Sequence, residues 1–427
     1  MTSSPAVRPA SNSNDPLRIA MTCYPSLGGS SVVATELGLA LVERGHQVHF
    51  VCAGVPERLR PFLNERPASR MPGLLFHEVT VDEYLLPNMG SYPLALANRL
   101  AQVTREHDLQ LWHLHYGVPH AVSAWLAQQL VQSPSPGSQR SPASELPSLG
   151  RSSGAGRSVK TVLTLHGTDV TGVGQSPSLR EVHGFALRRC DALTVPSAFL
   201  RQAAFDQLGL PTDTSIDVIP NFVNTDVFCP APTAPNAGLG SAVPRPFTLC
   251  HASNFRPVKR IDDIVQILAA VRRATTQPVQ LILVGDGPER PRIEALVQSL
   301  GLSQDVEFLG IQSPLTRTLQ RSDVFLLPSQ NESFGLAALE ALSCGVPVIA
   351  SHVGGLPEVI PEDGNACGRL LPVGDIAGMA SAIVQLIEDP QRHAKMRAAA
   401  RSRALAGFKQ AARVAQYEAC YRRLVTM

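Results

Sequence analysis

The chain has 427 residues, 44% of them apolar and 17% charged, enough to bury the cores of two or three domains. A formal net charge of +2 gives no reason to expect nucleic acid or an acidic membrane surface as the main partner. No apolar run reaches the length of about 18 residues that a membrane span needs. The polar opening MTSSPAVRPASNSND lacks the apolar stretch of a secretory signal. The eight cysteines are scattered, with no CxxC pair and no Cys/His metal spacing, which points to a reducing, cytoplasmic setting without structural zinc.

In chain order, residues 1–16 read as a disordered tail. LRIAMTCYP (17–25) reads as a strand, SVVATELGLALVERG (31–45) as an amphipathic helix ended by Gly45, and HQVHFVCAG (46–54) as the next strand. This is a βαβ opening. Strands follow at 109–117, 158–169 and 191–197, with a helix at 121–131. Residues 132–158 are dense in Ser, Pro and Gly and read as a flexible surface insertion. The composition shift over 223–246 marks a linker between an N-terminal domain (17–222) and a C-terminal one (247–405). The second domain repeats the pattern, with strands at 247–255, 279–287, 306–310, 323–329 and 346–351. The C-terminal helix, 406–427, is expected to return to the first domain. Two doubly wound α/β halves place the expected active site in a cleft between them.

Four stretches carry chemistry. CYPSLGGSSVVATELGLAL sets Gly28 and Gly29 between strand and helix, a phosphate cradle or a plain tight turn. TLHGTDV puts His166 at a strand's carboxyl end, as a ligand contact or a satisfied structural histidine. His113, His115 and His120 lack a third ligand at metal spacing. HASNFRPVKRIDD carries Arg256, Lys259 and Arg260 beyond a strand, where cations suit a diphosphate. LVGDGPER has Arg290 where a dinucleotide fingerprint needs glycine, which removes the support for NAD. The fourth stretch is NESFGLAALEALSCGVPVIAS, with Glu332 in a turn and Glu340 about two helical turns on. Asn331 and Ser333 both suit a helix cap, with the helix running from Phe334. The same-face neighbours of Glu340 are Leu336, Ala337, Ser343 and Cys344, none charged, so this carboxylate reads as one arm of a ligand clamp rather than a surface residue.

Together these motifs resemble the two-domain retaining glycosyltransferases of family 4, which have the GT-B fold. The resemblance spans nearly the whole chain after residue 16. It implies that Glu332 contacts the donor sugar and Glu340 the ribose hydroxyls of the nucleotide. It implies that backbone amides at Phe334, Gly335 and Leu336 bind sugar and diphosphate, and that the backbone at Ile311 holds the base. Lys259 matches the family's diphosphate lysine. The usual arginine five residues earlier is Asn254 here, and Arg256 is the substitute. Within the family, CYPSLGGSSVVATELG, HLHYGVPHA, LHGTDVTGVGQSPS, IPNFV and SNFRPVKRIDD look most like members that move N-acetylglucosamine from UDP-N-acetylglucosamine to the hydroxyl of L-malate with retention, the first step of bacillithiol biosynthesis.

The resemblance implies no cofactor and no metal, and a homodimer is an open expectation. No Asp-x-Asp pair occurs, which fits metal independence. Arg256, Lys259, the Gly28–Gly29 turn and the helix after Glu332 would stabilise the departing diphosphate. His166 would orient the sugar near its 6-hydroxyl. Ser30, Tyr116, Thr168 and Arg180 are the candidates for the acceptor pocket. Two alternatives stay open: the same fold with another donor or acceptor (a lipid or polysaccharide), and a non-catalytic nucleotide-sugar binding protein.

Overall fold

Short runs rich in Val, Ile and Leu, buried on both faces, build two parallel sheets. The computed structural model describes residues 15–26, 28–64, 71–81, 92–133, 159–232, 245–362 and 366–426. Residues 1–14 of the expected tail, 134–158 of the expected insertion and 233–244 of the expected linker lie outside the described residues.

The first sheet contains β1 (Arg18–Thr22), β2 (Gln47–Cys52), β3 (Leu74–Glu78), β4 (Leu111–His115), β5 (Lys160–Thr164), β6 (Ala192–Val195) and β7 (Ile216–Val218). Its order is β3-β2-β1-β4-β5-β6-β7. The order reverses direction between β1 and β4, which makes that point the crevice where open α/β sheets take ligands. The second sheet contains β8 (Phe247–Ala252), β9 (Val279–Val284), β10 (Val306–Gly310), β11 (Val324–Leu327), β12 (Val348–Ser351) and β13 (Gly368–Leu371). Its order is β10-β9-β8-β11-β12-β13, with the reversal between β8 and β11. Alternate residues of its strands feed two separate apolar layers. Cys250, Phe325 and Val348 join one and Leu249, Leu326 and Ile349 the other.

The chain divides into two compact units. The first runs to Thr194 and adds Ala203–Asp217 and the residues from Val414 on; the second comprises Val195–Gln202 and Val218–Arg413. The last helix, Gln410–Thr426, brings Tyr421 under β4, where its hydroxyl lies 2.6 Å from His113 Nδ1. Arg44 and Arg423 fix the same helix through Glu418 and Asp217, at 2.7 and 3.1 Å.

Three sequence expectations change. The first helix, Gly29–Glu43, is not amphipathic: from Ser31 to Val42 only Glu36 escapes burial, because the helix is packed on all sides. The short strands β3, β7 and β13 join the sheets although their sequences carry no clear strand pattern. The helix expected from Phe334 begins at Leu336 instead, for a reason that belongs to the site.

Candidate active site

In the second unit, the loops after β8 and β11 meet at the sheet's reversal point. Gln330 N–H donates to Val258 O at 2.8 Å, which ties the two loops together. That backbone bond brings Lys259 Nζ to 2.6 Å from Glu332 Oε1, and Ser329 Oγ donates to the same oxygen at 2.9 Å. The pair is largely shielded, with 20% of the Lys259 side chain and 12% of the Glu332 side chain exposed. The lysine expected on a diphosphate and the glutamate expected on a sugar are therefore one ion pair. Arg256 is exposed at the start of the single turn Pro257–Lys259. Arg260, the third cation of this stretch, is held by Asp263 at 2.6 and 3.1 Å and belongs to the helix that follows. Beneath the pair, His251 is buried between Leu326 O and Ser253 Oγ, and burial pushes its pKa down to about 4. The GDG turn after β9 packs so closely that a Cβ on Gly287 would lie 2.7 Å from Phe255 N and O, so it shapes the 253–260 loop.

Asn331 and Ser333 do not cap the next helix. Gly355 N–H donates to Glu332 O at 3.0 Å, and a Cβ on Gly354 would lie 1.8 Å from the same oxygen. This contact holds 331–334 as a loop. Phe334 is buried edge-on to Phe408, with centroids 5.8 Å apart. The cap is Gly335 at φ +93°, a conformation that suits glycine, and the helix is Leu336–Ser343. Leu336 and Ala337 stay half-buried, whereas every residue from Ala338 to Ala350 is buried, Glu340 among them at 4% exposure. Ile311 follows β10 and is 61% exposed.

In the first unit, Gly28 caps the Gly29–Glu43 helix. Gly28 is extended (φ −69°) and a Cβ on Gly29 would meet nothing within 4 Å, so neither glycine is demanded by its own backbone. Gly29 is exposed at the helix N-terminus, and Ser30 sits half-buried beside it. After β4, Tyr116 takes φ +93°, costly for a side chain with a Cβ by about 1–2 kcal/mol. Its N–H donates to Thr164 O at 3.1 Å.

Asp169, fully buried, accepts from the backbone N–H groups of Gly117 (3.1 Å), His166 (3.0 Å) and Gly167 (2.7 Å), so one carboxyl group locks the loops after β4 and β5 together. Burial pushes its pKa up even with these donors. His166 is half-buried, with Nε2 at 3.1 Å from His115 Nδ1. His120 Nδ1 lies 2.7 Å from His115 O, and His113 Nε2 lies 2.7 Å from Thr164 Oγ1. Burial pushes His113 and His166 down to about 3 and His120 to about 4, so the row is neutral at neutral pH. His113 and His120 are satisfied structural residues. Thr168 is exposed at the start of the Thr168–Thr171 turn of helix. Arg180 is exposed, and its guanidinium nitrogen lies 3.9 Å from where a Cβ on Gly209 would sit, which places it by the connection to β7.

The residues sequence reasoning missed are Asp169 and Ser329. Each sits within three residues of a recognised one, and the clue lay in LHGTD and in SQNE.

Comparison with known proteins fits this geometry. Residues 28–221 match the description "Glycosyl transferase 4-like domain" and residues 241–403 match "Glycosyl transferases group 1". The chain is 38% identical over 405 residues to the N-acetyl-alpha-D-glucosaminyl L-malate synthase of Bacillus anthracis, covering 95% of this chain and 96% of that one. The chain belongs to the group 1 glycosyltransferases. It is also 32% identical over 275 residues to a GDP-mannose-dependent alpha-(1-6)-phosphatidylinositol monomannoside mannosyltransferase of Mycolicibacterium smegmatis, covering 60% of this chain and 68% of that one. Among solved structures, an Anabaena protein in complex with UDP and glucose superposes with a TM-score of 0.72 at 19% identity, covering 95% of this chain and 99% of that one. This shared architecture is the GT-B fold. As a group 1 glycosyltransferase, the protein is an enzyme rather than a passive nucleotide-sugar binder.

Proposed function

We propose that this glycosyltransferase moves N-acetylglucosamine from UDP-N-acetylglucosamine to the hydroxyl of L-malate, with retention at the anomeric carbon. The observation that carries the donor half is the Lys259–Glu332 pair at the β8/β11 reversal point, set against a helix whose N-terminus begins at Leu336. The near full-length relative named as an L-malate synthase supports the acceptor half. In this reading Lys259 swings from Glu332 onto the diphosphate, aided by Arg256, and Glu332 turns to the sugar. Amides at Phe334, Gly335 and Leu336 receive the phosphate and sugar oxygens. Glu340 takes the ribose hydroxyls and the backbone at Ile311 the base. The Gly28–Gly29 turn adds N–H donors to an anion.

The bond from the anomeric carbon to the diphosphate oxygen breaks, and the malate hydroxyl oxygen bonds to that carbon on the same face. The malate proton passes to the departing phosphate oxygen. Preorganised cations and amides stabilise the charge that develops there, so the transfer step is assigned no metal. His166, neutral and held through Nε2, orients the sugar and does not act as a cationic acid. Ser30, Tyr116 and Thr168 face the acceptor as hydroxyl donors. Arg180, placed by Gly209, is the least supported of the four, and an unchanged malate KM in Arg180→Ala would remove it from the pocket. A cytoplasmic setting and a homodimer accompany this reading.

The test is UDP release from UDP-N-acetylglucosamine with L-malate, water, inositol phosphate and other hydroxy acids. Malate is expected to raise the rate well above that with water. Equal rates would remove the malate assignment and leave the family intact.

A further inference from the structure

A second cluster of ligand-type side chains lies in the first unit, apart from the loops after β4 and β5. His49 on β2, His77 on β3 and His107 at the end of the Tyr92–His107 helix each offer a ring nitrogen, and these atoms all lie within 4.8 Å of one another. Their separations in sequence, 28 and 30 residues, match no metal-binding motif and make the group invisible in the sequence. The sheet register explains the meeting. His77 pairs with Val51, two residues after His49, so both rings leave the sheet on one face.

His49 Nδ1 lies 2.9 Å from His77 Nε2. The His107 ring centroid lies 4.5 Å from that of His49 and 5.3 Å from that of His77. His49 is fully buried, and its Nε2 has no hydrogen-bond partner among the described residues. The nitrogen that faces His77 is Nδ1, so it is the convergence of the three rings, rather than Nε2, that points to a site.

We propose that His49, His77 and His107 form a binding site for a divalent late first-row metal ion, with zinc as the representative, that clips the edge strand β3 and the 92–107 helix to β2. Imidazole nitrogens bind such ions at about 2.0–2.1 Å, and tetrahedral geometry then sets the nitrogens about 3.3 Å apart. The close pair must open by a few tenths of an ångström. His107, 33% exposed at its side chain, supplies the adjustable third ligand and leaves the fourth position to water. Neighbouring charge is mixed. Arg18 is engaged by Asp108 at 2.9 Å, Arg99 acts on His77, and Glu106 Oε2 lies 4.0 Å from His107 Nε2. His107 lies before the amino end of β4, whereas the loop that carries Tyr116 leaves its carboxyl end. The site is structural and takes no part in transfer.

The experiment uses the tag-free full chain, stripped with chelator, titrated with zinc by calorimetry and with cobalt by absorption. One equivalent of zinc is expected to bind saturably and raise the melting temperature by several degrees, with cobalt giving the intense visible bands of a tetrahedral site. His107→Ala, a substitution at a half-buried position, is expected to weaken zinc binding at least tenfold, to abolish the thermal shift and to leave transfer activity unchanged. His77→Gln should weaken binding similarly. Absence of saturable binding, or equal affinity in His107→Ala, would overturn the proposal.

Discussion

The two units build the same kind of parallel sheet and arm the carboxyl ends of their central strands with different chemistry. At the β8/β11 point the second unit concentrates charge, with Lys259 on Glu332 and an exposed Arg256 beside them. At the carboxyl ends of β4 and β5 the first unit concentrates neutral rings and backbone donors. Nine of the chain's twelve histidines lie at or before His183, and burial holds His113, His120 and His166 at about 3 to 4. A departing diphosphate gains most from fixed cations, because charge develops there during the reaction. A sugar hydroxyl and a small acceptor need orientation, which neutral donors and acceptors supply. Under the proposed transfer, charge in one unit and hydrogen-bond geometry in the other suit this division of labour.

The contrast can be broken first at the charged end. Glu332→Gln and Lys259→Ala are each expected to lower kcat/KM by about 10²–10³ in the UDP-release assay, the range seen when one transition-state donor is removed. Near-normal activity of either would show that the pair is only structural.

The neutral end responds to acid. The rings of His49, His77, His113, His120, His166 and His183 are pushed down to about 3 or 4 by burial, against about 6.5 in the unfolded chain. Between those values the unfolded chain binds more protons, so stability is present above about pH 6.5 and is lost as pH falls toward 4. In the second unit burial lowers fewer rings: His251, to about 4, and His393. Hydrogen exchange at pH 7 and pH 5 is expected to show the first unit opening first, and the reverse order would contradict the comparison.

Two smaller effects sharpen it. Asp169→Asn replaces an oxygen that accepts backbone N–H groups and is expected to cost about 1.5–3 kcal/mol in chemical denaturation, with impaired acceptor kinetics. Gly335→Ala meets φ +93° and Leu356 Cδ2 at 2.5 Å, and is expected to cost about 1–3 kcal/mol. Its donor KM should rise while its acceptor KM holds.

Much of this was legible in the sequence one element at a time. Lys259 stood out as a cation beyond a strand, Glu332 as a carboxylate in the turn after one, and Glu340 as a helical carboxylate with no charged neighbour on its face; their roles on a sugar nucleotide came from the family resemblance. The ion pair of Lys259 with Glu332 did not stand out, since the two are 73 residues apart and are brought together by contacts between loops, the Gln330–Val258 bond among them. The cap was misread because Asn331 and Ser333 have capping side chains, whereas Gly354 and Gly355, distant in sequence, hold that backbone away from a helix. Asp169 was missed although it lies beside His166, because one of its partners, Gly117, is 52 residues away. Strands β3 and β13 end in or contain charged residues, LLFHE and GRLL, and β7 is only IDV, so edge position in the sheet rather than local pattern makes them strands.

The most direct test is calorimetric binding of UDP and of GDP to the full chain and to Glu340→Gln and Thr168→Val. If the second unit reads the donor and the first the acceptor, UDP binds at least tenfold tighter than GDP. Glu340→Gln then loses at least tenfold in UDP affinity, and Thr168→Val loses nothing. Equal binding of GDP, or UDP affinity that survives in Glu340→Gln and falls in Thr168→Val, would contradict it.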